Sequence, residues 1–134
     1  MVDLVFLFDG SGSLTAAQFE AMRDFMVEVM EQLSNSSFRF AAVQFSDFPE
    51  PVFSFRDYSE RPQPRQLLRH VRQQGGFTDT FTAIRYVAEQ TFTAENGSRP
   101  GARRVLIIVT DGDATDSGTV QAAEERGIVR YVIG

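Results

Sequence analysis

A chain of 134 residues that is 43% hydrophobic and 23% charged has the bulk and composition for one globular domain with a buried core. A net charge of −5 argues against a nucleic-acid partner, since Arg99, Arg103 and Arg104 are the nearest thing to a basic cluster. With no cysteine, disulfides, thiolate catalysis and zinc–thiolate sites are excluded, and no apolar run reaches the roughly 18 residues of a membrane span.

In chain order, residues 3–8 predict a strand buried on both faces, because Leu4-Val5-Phe6-Leu7-Phe8 shows no polar alternation. Thr15 with Gln18 forms a capping box, and Leu14 with Phe19 a hydrophobic staple, so a helix begins there. Phe19, Met22, Phe25, Met26, Val29, Met30 and Leu33 then recur as one helical face, opposite Glu20, Asp24, Glu28 and Glu31. Ser34–Ser37 make a polar turn. Phe38–Phe45 form a second strand and Val52–Phe55 a shorter one, which Pro49 and Pro51 suit to a sheet edge. Pro62 and Pro64 introduce a helix over Arg65–Arg72, broken by Gly75-Gly76. A further helix is expected over 81–93, a turn over 94–101, a strand over 103–110, a helix over 117–126 and a last strand over 128–133.

Strands alternating with helices predict an α/β fold: a doubly wound, mostly parallel sheet with helices on both faces and one antiparallel edge strand. The chain ends at Tyr131-Val132-Ile133-Gly134, directly after a strand, so exposed apolar surface is expected there. In such sheets ligands bind beyond the strand C-termini, near the switch in strand order. Two strands deliver an aspartate to that end: Asp9, opening Asp9-Gly10-Ser11-Gly12-Ser13, and Asp111 of Thr110-Asp111-Gly112.

The residue types point to a hard divalent cation. Mg²⁺ takes six oxygens in near-octahedral array and keeps some waters. Ser11 and Ser13, at alternate positions, offer two hydroxyls to one side; Asp9 and Asp111 supply negative charge, directly or through water. A hydroxyl from Thr78 or Thr80 would complete the protein face and leave one position open for an incoming carboxylate. Rival motifs fit less well. Gly10 and Gly12 lack the third glycine of a dinucleotide loop, and no Gly-Lys-Ser/Thr is present for a P-loop. The single histidine, His70, is read as a surface or boundary residue far in sequence from the motif, so a metal-dependent hydrolase lacks its base or nucleophile. Two sequons, Asn35-Ser36-Ser37 and Asn96-Gly97-Ser98, sit in expected loops and make Asn35 and Asn96 glycosylation candidates.

Asp9-x-Ser11-x-Ser13, Thr78 of Phe77-Thr78-Asp79-Thr80, and Asp111 of Thr110-Asp111-Gly112 together resemble the metal-ion-dependent adhesion site of von Willebrand factor A domains, the inserted or I domains of integrin alpha chains. Val2 to Thr15, Phe40 to Ser46 and Val105 to Gly112 are similar to leukocyte integrin alpha-chain I domains. Asp113 to Gly118 is most similar to the alpha-L chain, and Gly127 to Gly134 is shared in style with the alpha-M and alpha-X chains.

The resemblance implies a cell-adhesion module without catalysis. It implies Mg²⁺ held by Ser11, Ser13 and, depending on state, Thr78 or Asp111, with Asp9 and the remaining side chain acting through water. Mn²⁺ would substitute, and Ca²⁺ is a further alternative. A Glu or Asp of a protein ligand, such as an intercellular adhesion molecule, would fill the open position, with a beta-2 integrin subunit as partner in the intact receptor. Asp113 and Thr115, just past Asp111, would form a rim that reads the ligand. The implied setting is extracellular, in a single-pass receptor, without membrane contact by this segment. The resemblance also implies that residues 1–134 are the first two-thirds of one such domain, lacking a final helix, strand and helix. Alternatives are another integrin alpha chain with a complement or matrix ligand, or a matrix or plasma protein.

Overall fold

The computed structural model describes residues 1–110 and 112–134. The strands are β1 (Val2–Asp9), β2 (Phe38–Phe45), β3 (Pro49–Phe53), β4 (Arg103–Val109) and β5 (Val129–Ile133). They form one sheet in the order β3-β2-β1-β4-β5, parallel throughout except between β2 and β3. The central position of β1 explains its unbroken apolar run. It has strands on both sides and helices on both faces, so every residue from Asp3 to Asp9 is buried.

Alternate residues of β1 and β2 serve the two cores. Leu4, Phe6, Phe8 and Phe40 pack with Phe19, Met22, Met26 and Met30 of α1 (Ala16–Gln32). Val5, Leu7, Ala41 and Val43 pack with Ala83, Ile84, Val87 and Ala88 from the helical segment on the other face. Met26 and Met30 are wholly buried, and each such side chain stabilises by roughly 1.5–3 kcal/mol. The capping box of α1 is formed as expected: the Gln18 N–H donates to Thr15 Oγ1 at 3.1 Å, and the Thr15 N–H to Gln18 Oε1 at 2.8 Å.

The segment between β2 and β4 departs most from expectation. Pro49 and Pro51 lie inside β3 rather than beside it, tolerated because an edge strand leaves one row of N–H groups unpaired. Helix α2 (Phe55–Glu60) was not expected. Ser54 and Asp57 cap it reciprocally, Phe55 reaches one core and Tyr58 the other, its ring edge-on to Phe40 at 5.1 Å. The helix expected over Arg65–Arg72 is one turn, α3 (Pro64–Leu67). Beyond the turn that follows it, buried Gln44 anchors the chain: its Nε2 donates to the Arg72 carbonyl at 2.9 Å and its Oε1 accepts the Gln74 N–H at 2.9 Å. His70 is exposed on the turn after α3.

Helix α4 (Thr80–Tyr86) continues in a π-helical turn, Val87–Thr91, and α5 (Gln121–Glu125) is shorter than its sequence predicts. On β5, Tyr131, Val132 and Ile133 are 55%, 68% and 38% exposed, as expected for the sheet's end. No helix among the described residues is long and apolar enough to cross a membrane.

Candidate metal centre

The chain leaves β1 through α1 to reach β2, while β4 lies on the other side of β1. The strand order therefore turns at the β1–β4 pair, and the loops after these strands meet beyond their C-termini. Asp9 is the last residue of β1 and has no solvent exposure. Its Oδ1 accepts the Ser11 N–H at 2.7 Å and its Oδ2 accepts the Thr110 hydroxyl at 2.9 Å. Ser11 is 1% exposed, and its Oγ lies 3.0 Å from Oγ of Ser13, which is exposed. Gly10 is required between Asp9 and Ser11: a Cβ there would overlap Gln44, whose amide is fixed at both ends.

A second loop, 73–79, is bonded onto the first. Gly75 N–H donates to Gly10 O at 2.7 Å, and Gly12 N–H to Gly76 O at 3.0 Å. The Gln73 side-chain amide donates to both Ser11 O and Leu14 O, at 2.8 and 2.9 Å. Thr78 follows, buried, and its hydrogen bonds to described residues run through its backbone. Its N–H donates to Thr115 Oγ1 at 2.9 Å, and its carbonyl accepts the N–H groups of Thr80 and Thr115, both at 2.8 Å.

The loop after β4 braces this second loop. Thr115 and Asp113, expected at a ligand-reading rim, are both exposed, and the Thr115 hydroxyl accepts the Thr78 N–H and donates to Asp79 Oδ1 at 2.7 Å. Asp116 accepts the N–H groups of Phe81 and Thr82 and the Thr82 hydroxyl, capping α4 from a distant loop where Asp79 makes no side-chain cap. Burial pushes the Asp116 carboxyl up, but the bonds from Thr82 and Phe81 outweigh it and hold the group below its ordinary value of 3.8. Asp111 lies outside the described residues. Asn35 and Asn96 lie at the other end of the sheet, before β2 and β4.

Among the described residues, no three His, Cys, Asp or Glu side chains gather as a metal-ligating group. The candidate set is instead one carboxylate, Asp9, with the hydroxyls of Ser11, Ser13 and Thr78, an all-oxygen set that suits a hard cation. Electrostatics supply an independent test of fit. Asp3, the other fully buried carboxylate of β1, is neutralised by its own chain: Arg99 lies 2.9 Å away, and the Ser98 hydroxyl and Arg99 N–H donate to it at 2.9 and 2.7 Å. Asp9 has neutral donors on both oxygens and no ion pair among the described residues. A buried carboxylate without a positive partner is costly, and a divalent cation at the Ser11–Ser13 face would supply that partner.

Several residues that build this site carry no sequence signal of their own: Thr110, Gln44, Gln73 and Asp116. Thr110 stands in the Thr-Asp-Gly triplet, whose motif value lies in its aspartate.

The von Willebrand factor type A domain model matches residues 3–134. Mouse (Mus musculus) integrin alpha-X is 42% identical over 98% of the chain, and mouse integrin alpha-M 38% over 98%. The chain spans 12% of the length of each of these relatives. Among solved structures, proximal thread matrix protein 1 from the mussel byssus, described with a zinc-occupied MIDAS motif, superposes with a TM-score of 0.88 at 22% identity, covering 98% of this chain and 37% of that one.

Proposed function

We propose that this chain, which belongs to the von Willebrand factor type A domain family, is an adhesion module that binds an acidic residue of a protein partner through a divalent cation, Mg²⁺, for which Mn²⁺ can substitute, with Ca²⁺ a further alternative. Asp9, Ser11, Ser13, Thr78 and Asp111 would hold the ion. The observation that carries the reading is Asp9, wholly buried and without a positive partner among the described residues, beside two hydroxyls 3.0 Å apart. When bound, the ion supplies a Lewis-acid position that takes a carboxylate.

The chain's own residues do the rest. Asp9 supplies charge and holds the Ser11 backbone; Gly10 lets the loop pass Gln44; Gln73 keeps the second loop against the first. Thr115 and Asp116 set where Thr78 and α4 begin, and Asp113, exposed on the same loop, is left to meet the ligand. No residue is assigned to proton transfer or nucleophilic attack. The similarity to integrin alpha chains supports an intercellular-adhesion-molecule-like ligand, a beta-2 subunit as partner and an extracellular, receptor-borne setting. The likeness in fold to a byssus matrix protein favours, as second reading, a matrix protein using the same site.

Thermal unfolding with Mg²⁺ or chelator tests the metal step. An ion that binds only the native state stabilises by RT ln(1 + [L]/Kd), about 2.7 kcal/mol at a hundredfold excess over Kd. The midpoint is expected to rise in the parent and not in Ser11→Ala or Asp9→Asn; a rise that survives both substitutions places the metal elsewhere. Mg²⁺-dependent capture of an immunoglobulin-type ligand, lost when its acidic residue is replaced, then separates the adhesion receptor from the matrix reading.

A further inference from the structure

The two sequons lie at the end of the sheet opposite the candidate metal centre, and the fold treats their acceptor amides differently. Asn35 is exposed on the turn that enters β2. Its Oδ1 accepts the Ser37 N–H at 2.8 Å and its carbonyl accepts the Phe38 N–H at 3.2 Å, an Asx-turn closed through oxygen alone. No described residue takes its Nδ2. The turn is anchored from below: Ser37 O accepts the Val2 N–H at 2.7 Å and Arg99 Nη2 at 3.1 Å. Asn35 and Ser37, the first and third residues of the sequon, are therefore both exposed on a fixed turn.

Asn96 is the reverse case. Its Nδ2 donates to Gln90 O at 2.6 Å. Gly97 sits at φ 89°, where a Cβ would come within 2.6 Å of the Arg56 backbone nitrogen, so the turn is pressed against α2. The third residue of that sequon, Ser98, is buried, and its hydroxyl donates to Asp3, inside the Asp3–Arg99 pair.

We propose that Asn35 is an N-glycosylation site and that the folded chain leaves Asn96 unmodified. The proposal rests on the extracellular reading above, because the transfer takes place in the secretory lumen. The co-reactant is a lipid-pyrophosphate-linked oligosaccharide. Its anomeric C1–O bond to the pyrophosphate breaks, a C1–Nδ2 bond forms on Asn35, the lipid pyrophosphate leaves, and Nδ2 gives up one proton. The same transfer at Asn96 would set a sugar on the nitrogen that holds Gln90 and pull the turn from its place beside Asp3. A chain modified there is lost before secretion.

The test expresses the chain behind a signal peptide in mammalian cells, with a C-terminal reporter sequon whose modification certifies entry into the lumen. The parent is compared with Asn35→Gln and Asn96→Gln by endoglycosidase gel shift and by peptide mass spectrometry of secreted and retained protein. Secreted parent is expected to carry one oligosaccharide besides the reporter's, lost in Asn35→Gln and kept in Asn96→Gln. Reporter-modified protein with Asn35 unoccupied, or secreted protein occupied at Asn96, overturns the proposal. Occupancy is read in the retained fraction too, so a folding defect does not blunt the answer. The extracellular reading fails by a different observation: surface labelling of cells that make the protein from its native message leaves it unlabelled.

Discussion

Asp3 and Asp9 stand at opposite ends of one strand, both without solvent exposure, yet substitution of each by Asn should have opposite effects. Asp3→Asn leaves the Arg99 guanidinium, 14% exposed, with no counter-charge, and breaking a buried pair from one side costs about 3–5 kcal/mol. Asp9→Asn removes a charge that no described residue balances. The Thr110 hydroxyl can turn from donor to acceptor, so the hydrogen bonds need not be lost. Urea unfolding in chelator is expected to show Asp3→Asn strongly destabilised and Asp9→Asn equal to the parent or more stable. With Mg²⁺ added, the parent and Asp3→Asn gain stability and Asp9→Asn does not. Comparable losses in both variants without metal would make Asp9 a structural carboxylate and remove the main support for the metal centre.

The helices divide by whether their ends are written locally. For α1, cap, staple and apolar stripe fall within one stretch of sequence, and the helix forms where they predict it. For α4, the capping carboxylate is Asp116, 34 and 35 residues beyond the amides it receives, and nothing near Thr80 announces it. Gln44 anchors the stretch from Arg72 to Gln74 in the same long-range way. The candidate site divides likewise: Asp9, Ser11 and Ser13 are proposed from residue type and spacing, which leave Thr78 and Thr80 open, and the family resemblance picks Thr78. The brace was not legible, because the side chains of Thr115 and Gln73 act mainly on backbone groups, Thr78 N–H, Ser11 O and Leu14 O, which any residue at those positions would supply. Asp116 carries a pH dependence. Its folded value lies below the ordinary one, so it contributes stability that is complete above the ordinary carboxylate range and is lost as pH falls through the depressed value. Asp116→Asn should therefore flatten the acid limb of a stability–pH curve below about pH 4, and Asp116→Ala should cost about 1 kcal/mol at neutral pH as a lost cap. An unchanged acid limb in Asp116→Asn would mean the cap is open in solution.

At the scale of the whole molecule, the proposed donors are far apart in sequence, at 9–13, 78 and 111, and the loops after β1, before α4 and after β4 are bonded to one another. The bonds between those loops, Gln73 to Ser11 and Leu14 and Thr78 to Thr115, tie the ends of β1 and β4 to the start of α4. The two cores share β1 and β2, so opening one exposes the strands that form the other. A cation held across these loops should therefore oppose global unfolding and not merely quiet one loop. Native-state hydrogen exchange separates the two cases, because amides that exchange only through global opening report the full stability. Protection of Val5 and Leu106, in the centre of the sheet, is expected to rise with Mg²⁺ by the same free energy that thermal unfolding reports, about 2.7 kcal/mol at a hundredfold excess over Kd. Protection gained by loop amides such as Ser11 and Thr78, with none at Val5 and Leu106, would mean that the ion closes a locally opened site in a domain whose stability is set elsewhere. The linkage between metal and fold would then end at the loops, and a ligand bound there could not be felt at the sheet's opposite end, where Asp3 and Arg99 close it.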